Sequence, residues 1–585
     1  MTLFFRRHWL ACVFALLVGA LSVAPHLLAV RAIGNDYRGM PFMYLDDEDI
    51  YLGRIHEIID GHWPVGSPMF HEYKNTPTLM LPLAESAYAL ASRITGLSLV
   101  SVFVVSWFVF PALLFLLVYA FCRRLLTKDG QESLTVNLEA VVGGLLVTLG
   151  YDLFYDVQRT LHVLRGTDQG VWLSIWTRPV NPISGALTLF AYLTMVWEIV
   201  KRKRTWLIVP TAFLLCLMVS YVFSWAIAVS ISVILFIAYL FRKDWSVVKR
   251  LGLMLFAGVG GSIAYLLSQS PVIGQNSQAS LLRNGLFFTH VPLLNKTLLV
   301  AIVLFLVFTA LRTWKTKNLR DVLTRDWWLF CAALLIGSLW AFSQQILTGR
   351  TIWPYHFVQY TKPLSSIALL VAGFHLLRPS WPRAWRTAMF GLVSVCILTI
   401  VVLTSTYRSV LVDFRARQAP MEAFAWLESH AQKDCVVLTK ETTENLARLV
   451  PAFTHCDVYL SSWTFSGVPA ERVRHNFFIQ LSLKDLTPET ARQYLTEHRE
   501  VVRETFFSNW TELFHLGDES WIERKIDELI PQYAEFAQKD FHQQLKQYRL
   551  DFVLSEQPLT SEEQKRYGVQ DETNVGGVWI YASLP

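Results

Sequence analysis

Long runs without a single charged side chain, each bounded by a compact cluster of Lys and Arg, constrain this chain more than any other feature. The run from Leu97 to Phe121 is 25 residues long and carries no charge. At ~20 residues per crossing, a helix of that length spans a bilayer. Charged residues make up 17% of the chain and hydrophobic residues 53%, whereas about a quarter of an ordinary soluble domain is charged. The pattern excludes a soluble cytosolic enzyme, a disordered chain and a disulfide-dense secreted module. The net charge of +6 is a topology signal, because the basic residues gather at the ends of the apolar runs.

The path starts at Arg6-Arg7-His8 and the apolar run Trp9–Val30, whose 22 residues exceed the ~7–15 of a signal-peptide core and predict a retained anchor. Arg6 and Arg7 hold its start in the cytoplasm, so Arg31–Thr78 is an outer loop. Leu79–Gly96, interrupted by Pro82, Glu85 and Arg93, reads as an interfacial helix, and Leu97–Phe121 returns to Arg123, Arg124 and Lys128. Val136–Tyr155 leads out to the loop Asp156–Val180, and Asn181–Val200 comes back to Lys201–Arg204. Trp206–Phe241 is 36 uncharged residues between two basic clusters. As one helix it would be ~54 Å long against a ~30 Å hydrocarbon layer, so a hairpin of two short spans, turning near Ser220–Trp225, is expected. Leu251–Ser268, Thr297–Leu311, Trp327–Leu347, Pro363–Leu377 and Thr387–Thr406 complete about eleven spans, with the N-terminus inside and the C-terminus outside. The six inner segments hold 21 Lys and Arg and the four long outer segments 11, which supports that orientation.

From Tyr407 the composition becomes that of soluble protein. Pro420–Ala431 reads as a helix, Cys435–Thr439 as a strand, Thr442–Leu449 as a helix and Val458–Ser461 as a strand, with further β runs at Phe552–Ser555 and Val578–Ala582. The expected fold is a polytopic α-helical membrane protein over residues 1–406, with an acidic first outer loop at 31–78, and a C-terminal extracytoplasmic α/β domain over residues 407–585. Residues 500–550 read as charged helix without a clear position.

The strongest chemical signal is Asp46-Asp47-Glu48-Asp49 in the first outer loop. Four adjacent acids repel one another unless water, a cation or a basic ligand relieves them. A solvated helix start accounts for them as well, since acids favour the positive end of a helix dipole. The same loop holds His62, His71, Glu72 and Lys74. Asp152 and Asp156, four residues apart at the outer end of a span, share a helical face and form a candidate second acidic arm, with Glu72 a further member. Headgroup-level solvation is the plainer account of that pair.

Asp47-Glu48-Asp49-Ile50-Tyr51, directly after a first span, resembles the Asp-Glu-x-x-Tyr element of the GT-C glycosyltransferases, specifically lipid A aminoarabinose transferases and protein O-mannosyltransferases. Arg178-Pro179-Val180-Asn181-Pro182 looks like the Arg-x-x-Asn-Pro start of a span in bacterial members. Trp426-Leu427-Glu428, Val436-Val437-Leu438, Pro451-Ala452-Phe453-Thr454 and Tyr548-Arg549-Leu550-Asp551-Phe552 are similar to their tail. The resemblance implies a donor carrying its sugar on polyprenyl phosphate and an acceptor hydroxyl on a lipid, glycan or protein. It also implies an inverting transfer at the outer face of a bacterial inner membrane. Asp47 heads the spacing and is the candidate base, with Glu48, Asp46 and Asp49 as neighbours in an acidic run longer than the family's usual pair. Arg178, Lys74 and Arg350, all on outer loops, are candidates for the donor phosphate, and His356 for a further donor contact. Lipid headgroups offer each of these basic residues an alternative partner, and packing at the interface offers one to His356.

A divalent cation, Mg or Mn, is a candidate cofactor at the acids, while no His/Cys spacing in the sequence marks a structural zinc site. Cys435 and Cys456 each precede a β run, and adjacent parallel strands in that register bring them near bonding distance; two buried thiols are the alternative. No nucleic-acid partner is indicated. Rival functions are a lipid-linked sugar transporter or flippase, which would want charges deep within its spans, and an inactive envelope scaffold.

Overall fold

A computed structural model describes the whole chain except residues 1, 44–47, 77, 79, 128–132, 156, 168–171, 203–205, 270–281, 283, 284, 441–443, 462–467, 515–518 and 585. Among the described residues, eight helices are long and apolar enough to cross a membrane. The protein is thus a polytopic helical membrane protein with a C-terminal sheet domain.

The membrane part begins with α1 (Thr2–Ile33), α2 (Glu48–Ile59), α3 (Leu83–Thr95), α4 (Leu99–Leu126) and α5 (Leu134–Thr148). Two short helices follow, α6 (Tyr151–Tyr155) and α7 (Val157–Leu164), then α8 (Ile183–Val200), α9 (Ile208–Ser220), α10 (Val222–Phe241) and α11 (Trp245–Ser268). After a two-stranded ribbon, β1 (Leu286–Phe288) against β2 (Arg350–Ile352), come the last helices of this part. They are α12 (Lys296–Thr316), α13 (Asp326–Ser343), α14 (Tyr355–Ala372) and α15 (Pro382–Leu403).

The basic clusters meet at one end of the bundle. Arg124 Nε donates to Glu198 at 2.9 Å, joining α4 to α8. Arg202 pairs with Asp244, and Arg242 reaches Asp326 at 2.9 Å. Lys315 lies over the Trp381 ring at 5.3 Å. Trp206, Trp245, Trp314 and Trp381 stand exposed at the same end, where amphipathic rings suit a membrane–water boundary. The expected hairpin in 206–241 is present. Tyr221 leaves helical geometry at φ −155° and ψ 95°, separating α9 from α10, and its two basic flanks share Asp326. α3 is amphipathic. It buries Glu85, Tyr88 and Ala89 and exposes Leu90 and Ile94, and Gly96 at φ +70° closes it by donating to Ser92, a left-handed end that glycine adopts without strain.

The C-terminal domain includes α16 (Met421–His430), α17 (Glu444–Phe453) and α18 (Ala470–Leu483). Its sheet runs β4-β3-β5-β7-β6, where β3 is Val436–Thr439, β4 Asp457–Val458, β5 Phe552–Ser555, β6 Val569–Val575 and β7 Val578–Ser583. The first three strands are parallel, with Val437 opposite Val458, and the last two antiparallel. α18 and β6 are absent from the sequence reading. β6 is polar along most of its length and exposed at the sheet edge, so it carries no alternation of apolar and polar residues.

This domain does not have a core of its own. Met40, Ile50, Ile55, Met69 and Phe70 of the segment between α1 and α3, and Phe103 and Trp107 of α4, pack into the same cluster as Val437, Val553 and Ile580. The Val458 N–H donates to the Met69 carbonyl at 2.9 Å. Full burial of Phe70 implies a cost of ~3–5 kcal/mol for its truncation to Ala.

Candidate functional site

α2 opens at Glu48 and Asp49, both fully buried. Asp49 accepts two hydrogen bonds from Arg448 on α17, from Nε at 2.7 Å and from Nη2 at 3.2 Å. Burial pushes the Asp49 carboxyl up to about 7, against the opposing pull of the Arg448 guanidinium. Glu48 lies near the Tyr88 phenol of α3, which burial and then the Glu48 and Glu85 carboxylates push upward. Arg54 in turn holds Glu85, Nε to Oε1 at 2.7 Å.

A second group of residues forms around the turn 178–182, which leads into α8. Val180 adopts φ +62° and Asn181–Pro182 is cis. The Tyr360 hydroxyl of α14 donates to the Pro182 carbonyl at 3.0 Å. His356, one turn earlier on α14, pairs through Nδ1 with the Tyr221 hydroxyl at 2.9 Å and stacks on Phe223 with ring centroids 4.8 Å apart. Trp353 stacks on the same imidazole at 5.8 Å. Arg178 is half-buried and close enough to His356 for its charge to act on the ring. Tyr221 packs against Tyr360 with ring centroids 5.9 Å apart, Tyr51 and Tyr151 are near enough to act on the Tyr360 hydroxyl electrostatically, and Tyr151 meets Trp176 edge-on at 5.4 Å. Val180 sits in one cluster with Tyr88. The turn 178–182 is therefore the shared wall between the Glu48–Tyr88 group and the Arg178–His356 group.

Of the residues singled out in the sequence, Arg178 and His356 lie together here, and Glu48 lies in the neighbouring Tyr88 group. Asp152, half-buried in α6, directly follows Tyr151. Asp46, Asp47 and Asp156 lie outside the described residues. Arg350 is exposed on β2 with its guanidinium over Phe288 at 5.7 Å. Glu72 lies 3.8 Å from Arg472. Asp49 is held by Arg448.

Lys74 has a different place from the phosphate contact expected of it. It is 2% exposed, and its ammonium lies 2.7 Å from Asp434, 3.1 Å from Glu57 and 3.1 Å from Asp457. Three carboxylates already surround its ammonium, so it ties the segment between α1 and α3 to the C-terminal domain. Burial and the neighbouring Asp457 push the Glu57 carboxyl up, against the pull of Lys74. His62 reaches Asp434 at 3.0 Å and His71 reaches Asp457 at 3.4 Å. Cys435 and Cys456, adjacent to Asp434 and Asp457, are joined by a disulfide with Cα atoms 4.4 Å apart.

The sequence reading names Tyr51 only as the end of the Asp-Glu-x-x-Tyr element, and it missed Tyr88, Tyr221 and Tyr360. Each sits in or beside an apolar run, where an aromatic ring reads as packing. The spacing Trp353-x-x-His356-x-x-x-Tyr360 at helical period on an outer-end helix is the signal that would have exposed them.

Among the described residues, one group has the spacing of a metal site, while the carboxylates of Glu48 and Asp152 are individually hard oxygens of the kind Mg and Mn take. Cys435, His455 and Cys456 lie with ligand atoms within 4.8 Å of one another, a soft set suited to zinc when the sulfurs are reduced. The chain is thus compatible with a bound divalent cation.

No family model matches this sequence, and no curated protein matches it. Two solved structures align along most of its length. One is the oligosaccharyltransferase AglB of Archaeoglobus fulgidus in complex with an inhibitory peptide and a dolichol-phosphate, at TM-score 0.45 and 14% identity, covering 94% of this chain and 70% of that one. The other is the Archaeoglobus fulgidus oligosaccharyltransferase with Zn and sulfate, at TM-score 0.40 and 12% identity, covering 93% and 67%. At these scores the likeness is loose, and the functional reading stands on the site's own residues.

Proposed function

We propose that this protein is a GT-C-type glycosyltransferase that moves a sugar from a polyprenyl-phosphate donor to a hydroxyl acceptor at the outer face of a bacterial inner membrane. The observation that supports the reading is the turn 178–182, where Arg178 lies near His356 and Val180 meets Tyr88, the neighbour of Glu48 at the buried start of the acidic helix. A cation for a phosphate and a carboxylate for a proton thus converge from separate loops at the end of the bundle opposite the basic clusters. Counted as crossings, the eight long helices together with α5, α9 and α14 would make eleven, the number under which residues 407–585 lie outside in this reading.

In this reading a carboxylate of the acidic run, Asp47 first and Asp46 or Glu48 next, takes the proton of the acceptor hydroxyl while that oxygen attacks the anomeric carbon. The bond from that carbon to the phosphate oxygen breaks on the opposite face, inverting the configuration. The leaving polyprenyl phosphate carries the developing charge, and Arg178 meets it with a two-pronged guanidinium. His356, with Nδ1 engaged by Tyr221, contacts the donor through Nε2. A divalent cation held by Glu48 and Asp152 would add positive charge at the donor phosphate.

The test is transfer by the purified protein in lipid nanodiscs, supplied with a panel of polyprenyl-phosphate sugars and read as released polyprenyl phosphate. Asp47→Asn should lower turnover ~10²–10⁴-fold with donor binding little changed. Arg178→Ala should instead weaken donor binding. Near wild-type rates in Asp46→Asn, Asp47→Asn, Glu48→Gln and Asp49→Asn alike would move the base to Asp152 or Asp156. Movement of intact donors across the bilayer with no release would replace the enzyme by a lipid-linked sugar transporter.

A further inference from the structure

α2 presents two faces to different neighbours. Asp49, Gly53 and Glu57 are spaced four residues apart and share one face, and the C-terminal domain occupies it at each position. Arg448 grips Asp49 through two hydrogen bonds, with the side chains 4% and 0% exposed. One turn on, a Cβ at Gly53 would lie 3.4 Å from the Pro451 carbonyl oxygen, so α2 and α17 are close-packed there. A further turn on, Glu57 reaches Lys74, which Asp434 and Asp457 hold from the C-terminal domain. Glu48 and Tyr51, one turn apart, lie beside Tyr88 and Tyr360 instead.

We propose that Arg448, a residue of the C-terminal domain, is a positioning residue for sugar transfer: by clamping Asp49 it sets the height and rotation of α2, so that Glu48 and Tyr51 stand against the turn 178–182. This rests on the glycosyltransferase reading above and adds to it that the C-terminal domain completes the site. The first turn of a helix is where its backbone is least held. A two-pronged guanidinium bonded to one carboxylate fixes direction as well as distance, which a lysine ammonium, acting as a point charge, does not. Small displacements of a reacting group are costly in rate, with ~1 Å sufficing for ~10²-fold.

The experiment compares wild type with Arg448→Lys, Arg448→Met, Asp49→Asn and the double variant Asp49→Asn/Arg448→Met. Two readouts are taken on folded protein in nanodiscs: steady-state transfer, and hydrogen exchange of the α2 amides. The expected result is a kcat lowered about 10- to 100-fold in Arg448→Met with donor KM within about twofold. Arg448→Lys should recover only part of it, and the double variant should be no worse than Arg448→Met. Exchange should quicken over residues 48–53 and stay unchanged over α18. Wild-type kcat in the folded Arg448 variants, or unchanged exchange over 48–53, overturns the proposal. Should Arg448→Met fail to fold, Arg448→Lys and Asp49→Asn carry the same two readouts. Quickened exchange in the variants together with no transfer by wild type from any donor would instead overturn the glycosyltransferase reading and leave the coupling of Arg448 to α2 standing.

Discussion

Lys74, between α2 and α3, donates to Asp434 of the C-terminal domain at 2.7 Å, a contact between positions 360 residues apart in the chain. Asp434 precedes one cysteine of the disulfide and Asp457 follows the other, and both reach the same ammonium. The loop that carries the acidic run is thereby fastened to the soluble domain by charge as well as by the shared apolar core.

Replacing Lys74 by Met should destabilise the protein rather than weaken donor binding. Removing one partner of a buried ion cluster leaves charges without compensation and costs ~3–5 kcal/mol. The expected outcome is a lower melting temperature by tryptophan fluorescence, with donor affinity per folded molecule retained. An unchanged melting temperature with weaker donor binding would return Lys74 to the phosphate.

The same contact sets an acid limb to stability. Burial works against ionisation of Asp434, but the hydrogen bond and charge of Lys74, and then His62, outweigh it and hold the carboxyl down to about 2. An acid depressed below its unfolded value of about 4 contributes stability that is complete above that pH and lost as pH falls through about 2. Asp434→Asn should remove this part of the loss in acid unfolding curves. His71 has the opposite sign. The Asp457 carboxylate 3.4 Å away raises the imidazole above its ordinary value, so its contribution is present below about pH 6.5 and fades as pH rises past that point.

The Cys435–Cys456 bond closes a loop with a sequence separation of 21, for which chain-entropy arguments give ~3 kcal/mol. In the oxidised protein both thiols should resist maleimide and become reactive after treatment with a dithiol reductant. The Cys435→Ser/Cys456→Ser double variant should unfold at lower denaturant. Reactivity of both cysteines in the folded, oxidised protein would contradict the bond.

Arg202 meeting Asp244, and Arg242 meeting Asp326, put segments from three connections at one end of the bundle. On the Lys and Arg bias, that end is expected to face the cytoplasm. A membrane-impermeant thiol reagent added to intact cells should label Ser429→Cys above the wild-type background and leave Lys249→Cys unlabelled, both positions being exposed. Labelling of Lys249→Cys from outside would invert the protein and remove the outer-face reaction.

Much of the architecture is legible from one dimension. Charge-free runs such as Leu97–Phe121 and the basic clusters beyond them report on bilayer crossing, because the cost of burying a charge in hydrocarbon acts on each residue separately. The strand at Val436–Thr439 and the helix at Met421–His430 follow for a similar reason, since local periodicity reflects which face is buried. What those residues touch was decided only in three dimensions. Lys74 and Arg178 are both basic residues between apolar runs, and composition treats them alike. Folding surrounds Lys74 with Glu57, Asp434 and Asp457 and sets Arg178 beside His356. Asp49 and Glu48 are adjacent acids, yet a helical step of about 100° turns one toward Arg448 and the other toward Tyr88. Membership of a span is a property of the segment. A charge's partner depends on which distant segments the fold brings within a few ångströms.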